Sequence, residues 1–298
     1  MEQHLPYFVD IDPVAIALGP LPIIGNTLSI HWYGIMYLLA FFTFWKLAEW
    51  RAKKDPWRGW QASEVSDYLF YAILGVILGG RIGYMLFYAT DQLLSEPLSL
   101  FRVWDGGMSF HGGLIGVLLV MYIYGRKTGW GFWNIADFSA PIVPLGLMFG
   151  RLGNFIGGEL WGRKTDAAWG MIFPNSIESP LGTEALHQLY LTGALNAEAR
   201  HPSQLYQAGL EGLLLFLILW FYSRKPRPRA AVSGMFLLGY GAFRFLVEFF
   251  RQPDVQLQFI AFDWLTMGQI LSLPMVITGM ILIIIAYRTD SPQIIIRR

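Results

Sequence analysis

The chain has 298 residues, 54% of them hydrophobic and only 14% charged, with a net charge of +1 and no cysteine. Soluble domains carry about 25% charged residues, so a mean hydropathy of +0.43 points to a membrane protein, and the balanced charge leaves no basic footprint for nucleic acid. The missing cysteine excludes disulfides, cysteine-ligated metals and a catalytic thiol of the protein's own, so any essential thiol comes from a substrate.

The N-terminus, MEQHLPYFVDIDP, lacks a basic stretch followed by an apolar one, and no cleavable signal peptide is expected. A membrane helix needs roughly 20 mostly apolar residues. Seven segments qualify: 30–48, 66–88, 108–124, 134–157, 204–223, 233–250 and 267–287. The expectation is an all-α integral membrane protein, a single polytopic domain over 1–298. Gly, Pro and charge interrupt the third and fourth segments. The stretch 158–203 is polar, with Arg163, Lys164, Asp166, Glu178, Glu184 and His187, and is long enough for a small extracytoplasmic head.

Loop charges set the orientation. Arg51, Lys53, Lys54 and Arg58 follow the first span. Arg126 and Lys127 follow the third, Arg224, Lys225, Arg227 and Arg229 the fifth, and Arg288, Arg297 and Arg298 the last. The alternate loops are acidic or mixed, with Asp91, Glu96 and Asp105, then 158–203, then Asp254 and Asp263. The N-terminus and the head are therefore expected outside and the C-terminus in the cytoplasm, which requires an odd number of spans.

Charge inside a span costs about 2.5–3.5 kcal/mol at the helix centre and tends to face a cavity or a partner. In the second span Gly75, Gly79 and Gly83 form a small-xxx-small ladder for close helix packing, and Arg81 reads as packing plus one buried ion pair. His111 opens the third span before two glycines. It reads equally as a structural group or as a base, and no Ser-His-Asp order accompanies Ser109. Asp137, near the start of the fourth span, reads as structural.

GRLGNFIGGELWGR, residues 150–163, places Arg151 and Asn154 on one helix face. Glu159 and Gly162 follow towards the outer interface. A snorkelling arginine is the plainer alternative, but Pro144, Phe149 and Phe155 surround Arg151 rather than a polar loop. In YGAFRFLVEFFRQPD, residues 240–254, Tyr240, Arg244, Glu248 and Arg251 fall within an arc of about 80° on a helix. A self-neutralising Arg244–Glu248 pair would explain two of the four and leave Tyr240 without a role.

Guanidinium is permanently charged, weakly hydrated and forks onto phosphate oxygens. Several at membrane depth suit a phospholipid headgroup. No HExxH, paired aspartates, Walker A or GxSxG pattern is present, so neither a metal nor a cofactor is expected. The reading from residues alone is a membrane protein that binds an anionic lipid and does chemistry on it. A different lipid-headgroup enzyme, such as an acyltransferase, or a transporter without chemistry are the rivals.

Residues 150–163 resemble the signature of the prolipoprotein diacylglyceryl transferases. So do WYG at 32–34, GGRIGYMLFY at 79–88, SFHGGLIG at 109–116, HPSQLYQAGLEG at 201–212 and YGAFRFLVEFFR at 240–251. One departure is Gly157, where the family usually has a second asparagine. The resemblance implies a bacterial inner-membrane transferase. Its substrates would be phosphatidylglycerol and the lipobox cysteine of a prolipoprotein signal peptide, and its products a thioether and glycerol 1-phosphate. It puts Arg151 and Arg244 on the phosphate, with Asn154, Glu159 and the signature's Gly162 at the headgroup. Glu248 would position Arg244, Arg251 would guard the outer entrance and Tyr33 would add a hydroxyl. His111 is the expected base, with an arginine-polarised thiolate assisted by Tyr240 as the alternative.

Overall fold

The computed structural model describes residues 5–19, 28–253, 259–261 and 264–289. Asp254, Asp263, Arg297 and Arg298, counted above for orientation, lie outside them. The described chain is mostly helical. Its helices are α1 (Trp32–Lys54), α2 (Ala62–Phe87), α3 (Thr90–Ser95), α4 (Phe110–Thr128), α5 (Phe132–Ser139), α6 (Val143–Ile156), α7 (Thr183–Leu191), α8 (Ser203–Gln207), α9 (Leu215–Tyr222), α10 (Ala231–Val247) and α11 (Met267–Thr289). A π-helical turn, Ala208–Leu214, joins α8 to α9. Among the described residues three helices are long and apolar enough to cross a membrane: α2, the continuous Ser203–Tyr222 helix, and α11. They become four if α5 and α6 are counted as one broken span. α10 is apolar but shorter, and α1 and α4 do not pass the same test of length and hydropathy. The helices thus fall on all seven expected segments, while the span count that length and composition carry is three to four.

Two compact units divide the chain. The first comprises Met1–Phe44, Pro141–Lys225 and Gly234–Ile285. In it, residues 158–203 form a small folded region around Phe8, Ile172, Leu186, Leu195 and Ala199. The N-terminus completes that region. Strand β1 (Tyr7–Phe8) pairs in parallel with a second short strand, Met171–Ile172, and Phe8 packs its ring on Tyr190 at 5.0 Å. Two further two-stranded ribbons are antiparallel, Val14–Leu18 with Leu28–His31 and Phe259–Ala261 with Leu265–Thr266.

The second unit comprises Trp45–Ala140, Pro226–Ser233 and Ala286–Arg298. α2 and α4 run against each other through glycine. A Cβ on Gly75 would stand 2.9 Å from the Gly116 carbonyl oxygen, and one on Gly83 would stand 2.8 Å from the Gly112 Cα. The ladder expected for tight packing is therefore used across α2 and α4. Among the described residues Arg81 does not form the expected ion pair. It is 3% exposed and donates to the backbone carbonyls of Ser99, Leu100, Gly106 and Gly107. A guanidinium has five donors and no acceptor, so one arginine can satisfy several loop carbonyls at once.

Arg51 also departs from expectation. Counted as a loop charge, it is buried in α1 and donates to the Phe138 carbonyl at 3.3 Å. Beside it Trp60 stacks on Trp130 at 4.6 Å and on Phe138 at 4.3 Å. The neighbouring Arg58 pairs with Asp55 at 2.9 Å, and burial lowers the proton affinity of its guanidinium.

Asp137 is structural, and its task is specific. Oδ2 accepts from the Ala230 N–H at 2.7 Å, and Oδ1 accepts from the Ser233 N–H at 2.8 Å and the Ser233 hydroxyl at 2.6 Å. These are the unsatisfied donors at the start of α10, where a carboxylate also meets the positive end of the helix dipole. Asp137→Ala is expected to cost about 2–3 kcal/mol of stability, read as a lower unfolding temperature in detergent. An unshifted melting temperature would show that the cap contributes nothing.

Candidate functional site

α6 carries Arg151 and Asn154 one turn apart, and the chain then leaves the helix through a glycine-rich loop. Arg151 Nη1 lies 3.5 Å from Asn154 Oδ1, and Asn154 Nδ2 donates to Glu159 Oε1 at 2.8 Å. The Glu159 N–H returns to the Asn154 carbonyl at 3.0 Å. Guanidinium, amide and carboxylate thus form one chain of contacts. Gly158 and Leu160 both have positive φ, at 62° and 59°. The conformation is natural for glycine but strained for leucine, and such strain persists where surrounding structure over-determines it. Here Ser203 Oγ donates to the Leu160 carbonyl at 2.9 Å and Gln204 Nε2 to the Glu159 carbonyl at 2.7 Å. Gly157, the family departure, keeps an ordinary helical φ of −70°. The side-chain amide of Asn175 faces its carbonyl at 3.5 Å.

Gly162 sits where any side chain would collide. A Cβ there would come within 2.5 Å of the carbonyl oxygens of both His201 and Phe250. Its backbone bridges to Arg251, and its N–H donates to the His201 carbonyl at 2.9 Å. Arg163 ties the same junction, donating through Nε to the Arg251 carbonyl at 2.9 Å and through Nη2 to the Glu248 carbonyl at 3.3 Å. The signature loop and the end of the α10 segment are therefore laced together by backbone.

α10 ends at Val247, yet the Arg251 N–H still bonds the Val247 carbonyl at 3.2 Å, so helical spacing persists for one more turn. The expected stripe survives on that extension. Arg244 Nη1 contacts Glu248 Oε2 at 2.6 Å, and Arg251 Nη1 lies 3.8 Å from the same oxygen. The other oxygen of Glu248 accepts from Thr266 Oγ1 at 3.0 Å. Glu248 is 3% exposed, so Arg244 is aimed by a buried carboxylate whose other oxygen is held by Thr266. Tyr240 stacks on Phe236 at 5.9 Å. Tyr33, in α1, lies against Gly153, two residues from Arg151 in α6.

The Ser203–Tyr222 helix contributes residues not singled out from sequence. Gln204, Gln207 and Glu211 are buried at 0%, 0% and 1% exposure. Gln207 Nε2 donates to Glu211 Oε1 at 3.3 Å. Glu211 lies on the π turn, a local widening frequent at functional sites. That turn packs on α6, since a Cβ on Gly212 would stand 2.6 Å from Met148 Cβ. α10 packs on the same helix, since a Cβ on Gly239 would stand 2.6 Å from Leu215 Cδ1. The helices that carry Arg151 and Arg244 thus both pack on the one that holds Glu211. The legible signal was the i, i+3, i+7 polar spacing of Gln204, Gln207 and Glu211 in an otherwise apolar run.

His111 belongs to the second unit. It is the second residue of α4, exposed, with its ring edge-on to Phe110 at 5.6 Å. Ser109 is the helix N-cap, its hydroxyl accepting from the Gly112 N–H at 3.3 Å, and this is the role of that serine. Among the described residues no group of three or more His, Cys, Asp or Glu is placed to hold a metal.

Against known proteins, residues 20–285 match the family model described as prolipoprotein diacylglyceryl transferase. A protein of Xanthomonas axonopodis pv. citri named phosphatidylglycerol–prolipoprotein diacylglyceryl transferase is 54% identical over 288 residues, covering 96% of this chain and 95% of the relative. Proteins of the same name from Xanthomonas campestris pv. campestris (strain B100) and Xanthomonas oryzae pv. oryzae (strain PXO99A) are 54% and 53% identical over the same coverage. With a match over nearly its whole length, and with the signature loop folded around Arg151, Asn154 and Glu159, the chain belongs to the prolipoprotein diacylglyceryl transferase family.

Proposed function

We propose that the half-buried arginine cluster of α6 and the α10 segment is the phosphate-binding centre of the reaction that this multi-pass membrane enzyme performs. The chain is a transferase of lipoprotein maturation, a phosphatidylglycerol–prolipoprotein diacylglyceryl transferase. Its substrates are phosphatidylglycerol and a prolipoprotein whose lipobox cysteine supplies the thiol absent from this chain. The sulfur attacks the glyceryl carbon that bears the phosphate oxygen. The carbon–oxygen bond breaks, a thioether forms and glycerol 1-phosphate leaves.

One observation carries the assignment to the cluster: the loop that follows Arg151 is laced by Gly162 and Arg163 to the turn that carries Glu248 and Arg251, where Glu248 holds Arg244. Negative charge grows on the departing phosphate, and fixed donors in a water-poor site stabilise developing charge most strongly. Arg151 and Arg244 grip the phosphate. Asn154 and Glu159 orient the headgroup, and Glu248 aims Arg244. Arg251 stands at the entrance, Gly162 shapes the loop and Tyr33 adds a hydroxyl.

A thiol of ordinary pKa near 8.5 must give up its proton. His111 is the proposed acceptor, and its imidazole is exposed for a substrate to reach. A thiolate polarised by the arginines, with Tyr240 assisting, is the alternative. The fold that serves this chemistry has seven spans in the bacterial inner membrane. The N-terminus and the 158–203 head lie outside, where a translocated precursor meets the outer leaflet.

The test is purified protein incubated with phosphatidylglycerol and a lipobox peptide. Release of glycerol phosphate that depends on the peptide cysteine, with a hydroxylamine-resistant lipid on the peptide, is the expected result. A hydroxylamine-labile product would mean acyl transfer and would overturn it. In the same assay His111→Gln is expected to lower turnover by about 10²-fold or more. Full activity would remove His111 as base and select the Tyr240 route.

A further inference from the structure

Two buried glutamines beside the arginine cluster carry acceptor atoms that the fold leaves unused. Gln204 Nε2 donates to the Glu159 carbonyl at 2.7 Å, and Gln207 Nε2 donates to Glu211 Oε1 at 3.3 Å. Each amide nitrogen therefore faces an acceptor, which fixes the sense of the amide and turns its oxygen the other way. Both side chains are 0% exposed, and neither Gln204 Oε1 nor Gln207 Oε1 has a hydrogen-bond partner among the described residues. Buried acceptors are nearly always paired, because leaving one unpaired forfeits its hydration. A ligand that brings donors resolves both.

The surroundings narrow the donor. Gln204 and Gln207 are three residues apart on one helix face, so two donors are wanted side by side. Gln204 holds the carbonyl of Glu159, whose carboxylate meets Asn154 and through it Arg151. Guanidinium charge beside the site disfavours an ammonium donor and favours a phosphate next to it. A neutral hydroxyl tethered to a phosphate meets both demands.

We propose that Gln204 and Gln207 accept hydrogen bonds from the two free hydroxyls of a glycerol phosphodiester headgroup and so set the enzyme's preference for phosphatidylglycerol. The proposal rests on the reading that the arginine cluster holds the lipid phosphate. It adds the residues that read what lies beyond that phosphate. An ethanolamine headgroup brings a cation into the field of the arginines, and a headgroup without hydroxyls leaves both amide oxygens unpaired. A site built to bond a hydroxyl rejects the analogue that lacks it far more strongly than a site built only on fit.

The experiment compares phosphatidylglycerol with phosphatidylpropanol, which keeps the phosphate and both chains but has no free hydroxyl. Two readouts are taken on the purified full-length protein in detergent: transfer to a lipobox peptide, and the rise in melting temperature on adding each lipid. The unmodified enzyme is expected to favour phosphatidylglycerol at least about 10²-fold in kcat/KM and to be stabilised more by it. In Gln207→Met the preference is expected to shrink to within about tenfold, because the variant no longer reads a hydroxyl. Gln204→Met gives the same reading should the first variant fold poorly. A purely structural role would lower transfer from both lipids alike and keep their ratio. Equal use of the two lipids by the unmodified enzyme, or a ratio unmoved in both variants, overturns the proposal. If no transfer occurs but phosphatidylglycerol still stabilises more than phosphatidylpropanol, and Gln207→Met erases the difference, the hydroxyl site stands and the transferase reading falls. Equal stabilisation by both lipids overturns the site whatever the transfer result.

Discussion

Arg151→Ala and Arg244→Ala are each expected to lower transfer from phosphatidylglycerol by about 10²–10³-fold or more, with protein levels in the membrane maintained. That range is the usual loss when one fixed donor is removed from a developing anion. The two variants differ in what else they disturb. Arg151 makes one described side-chain hydrogen bond, a long 3.5 Å contact to Asn154, so its removal leaves the fold nearly intact. Arg244 is ion-paired at 2.6 Å with a buried carboxylate, so its removal also strands Glu248. Arg151→Ala is the cleaner probe of chemistry, and an unchanged melting temperature beside lost turnover is its expected signature. Arg151→Lys keeps the charge but loses the planar fork, and is expected to recover only part of the rate. Full turnover in either alanine variant would remove the phosphate-clamp assignment.

The two sites of arginine were legible because charge in an apolar run is conspicuous in sequence. Arg151, Asn154 and Glu159 meet through spacing that a helix and a short loop enforce. The Tyr240–Arg251 stripe follows from the helical period, even though α10 formally stops at Val247. Hydropathy reads length and not hydrogen-bond pattern, so it joins helices across one break that Pro only hints at and across a second that nothing in the sequence marks. The expected span 134–157 stops at Ser139 and restarts at Val143 around Pro141 and Pro144, residues that cannot donate and that restrict their predecessors. The expected span 204–223 conceals the π turn that carries Glu211. Arg81 shows another blind spot. A guanidinium that donates to several backbone carbonyls needs no carboxylate partner in the sequence to announce it, so the expected ion pair gives way to loop carbonyls. The joining of Tyr7–Phe8 to Met171–Ile172 spans more than 160 residues, and no local pattern signals so distant a pairing.

Glu248→Ala is expected to be the most destabilising of the single substitutions at the site, by about 3–5 kcal/mol, because it leaves buried positive charge uncompensated. Arg244 would lose its 2.6 Å partner and Thr266 its acceptor, and the 3.8 Å contact to Arg251 would go with them. Thermal unfolding in detergent checks the magnitude, and a loss below about 1 kcal/mol would mean that the pair is solvated and contributes as surface pairs do. The double variant Arg244→Met with Glu248→Met separates stability from chemistry. Replacing a whole buried pair by apolar groups of similar volume is often neutral, whereas breaking it is not, so the double variant is expected to melt higher than Glu248→Ala. It is nevertheless expected to remain as inactive as Arg244→Ala, since no guanidinium returns to the phosphate. Restored transfer in that variant would show that Arg244 serves the fold alone. Restored stability without transfer would show that the Arg244–Glu248 pair is retained for the phosphate it positions, at a cost in stability that an apolar pair would not carry.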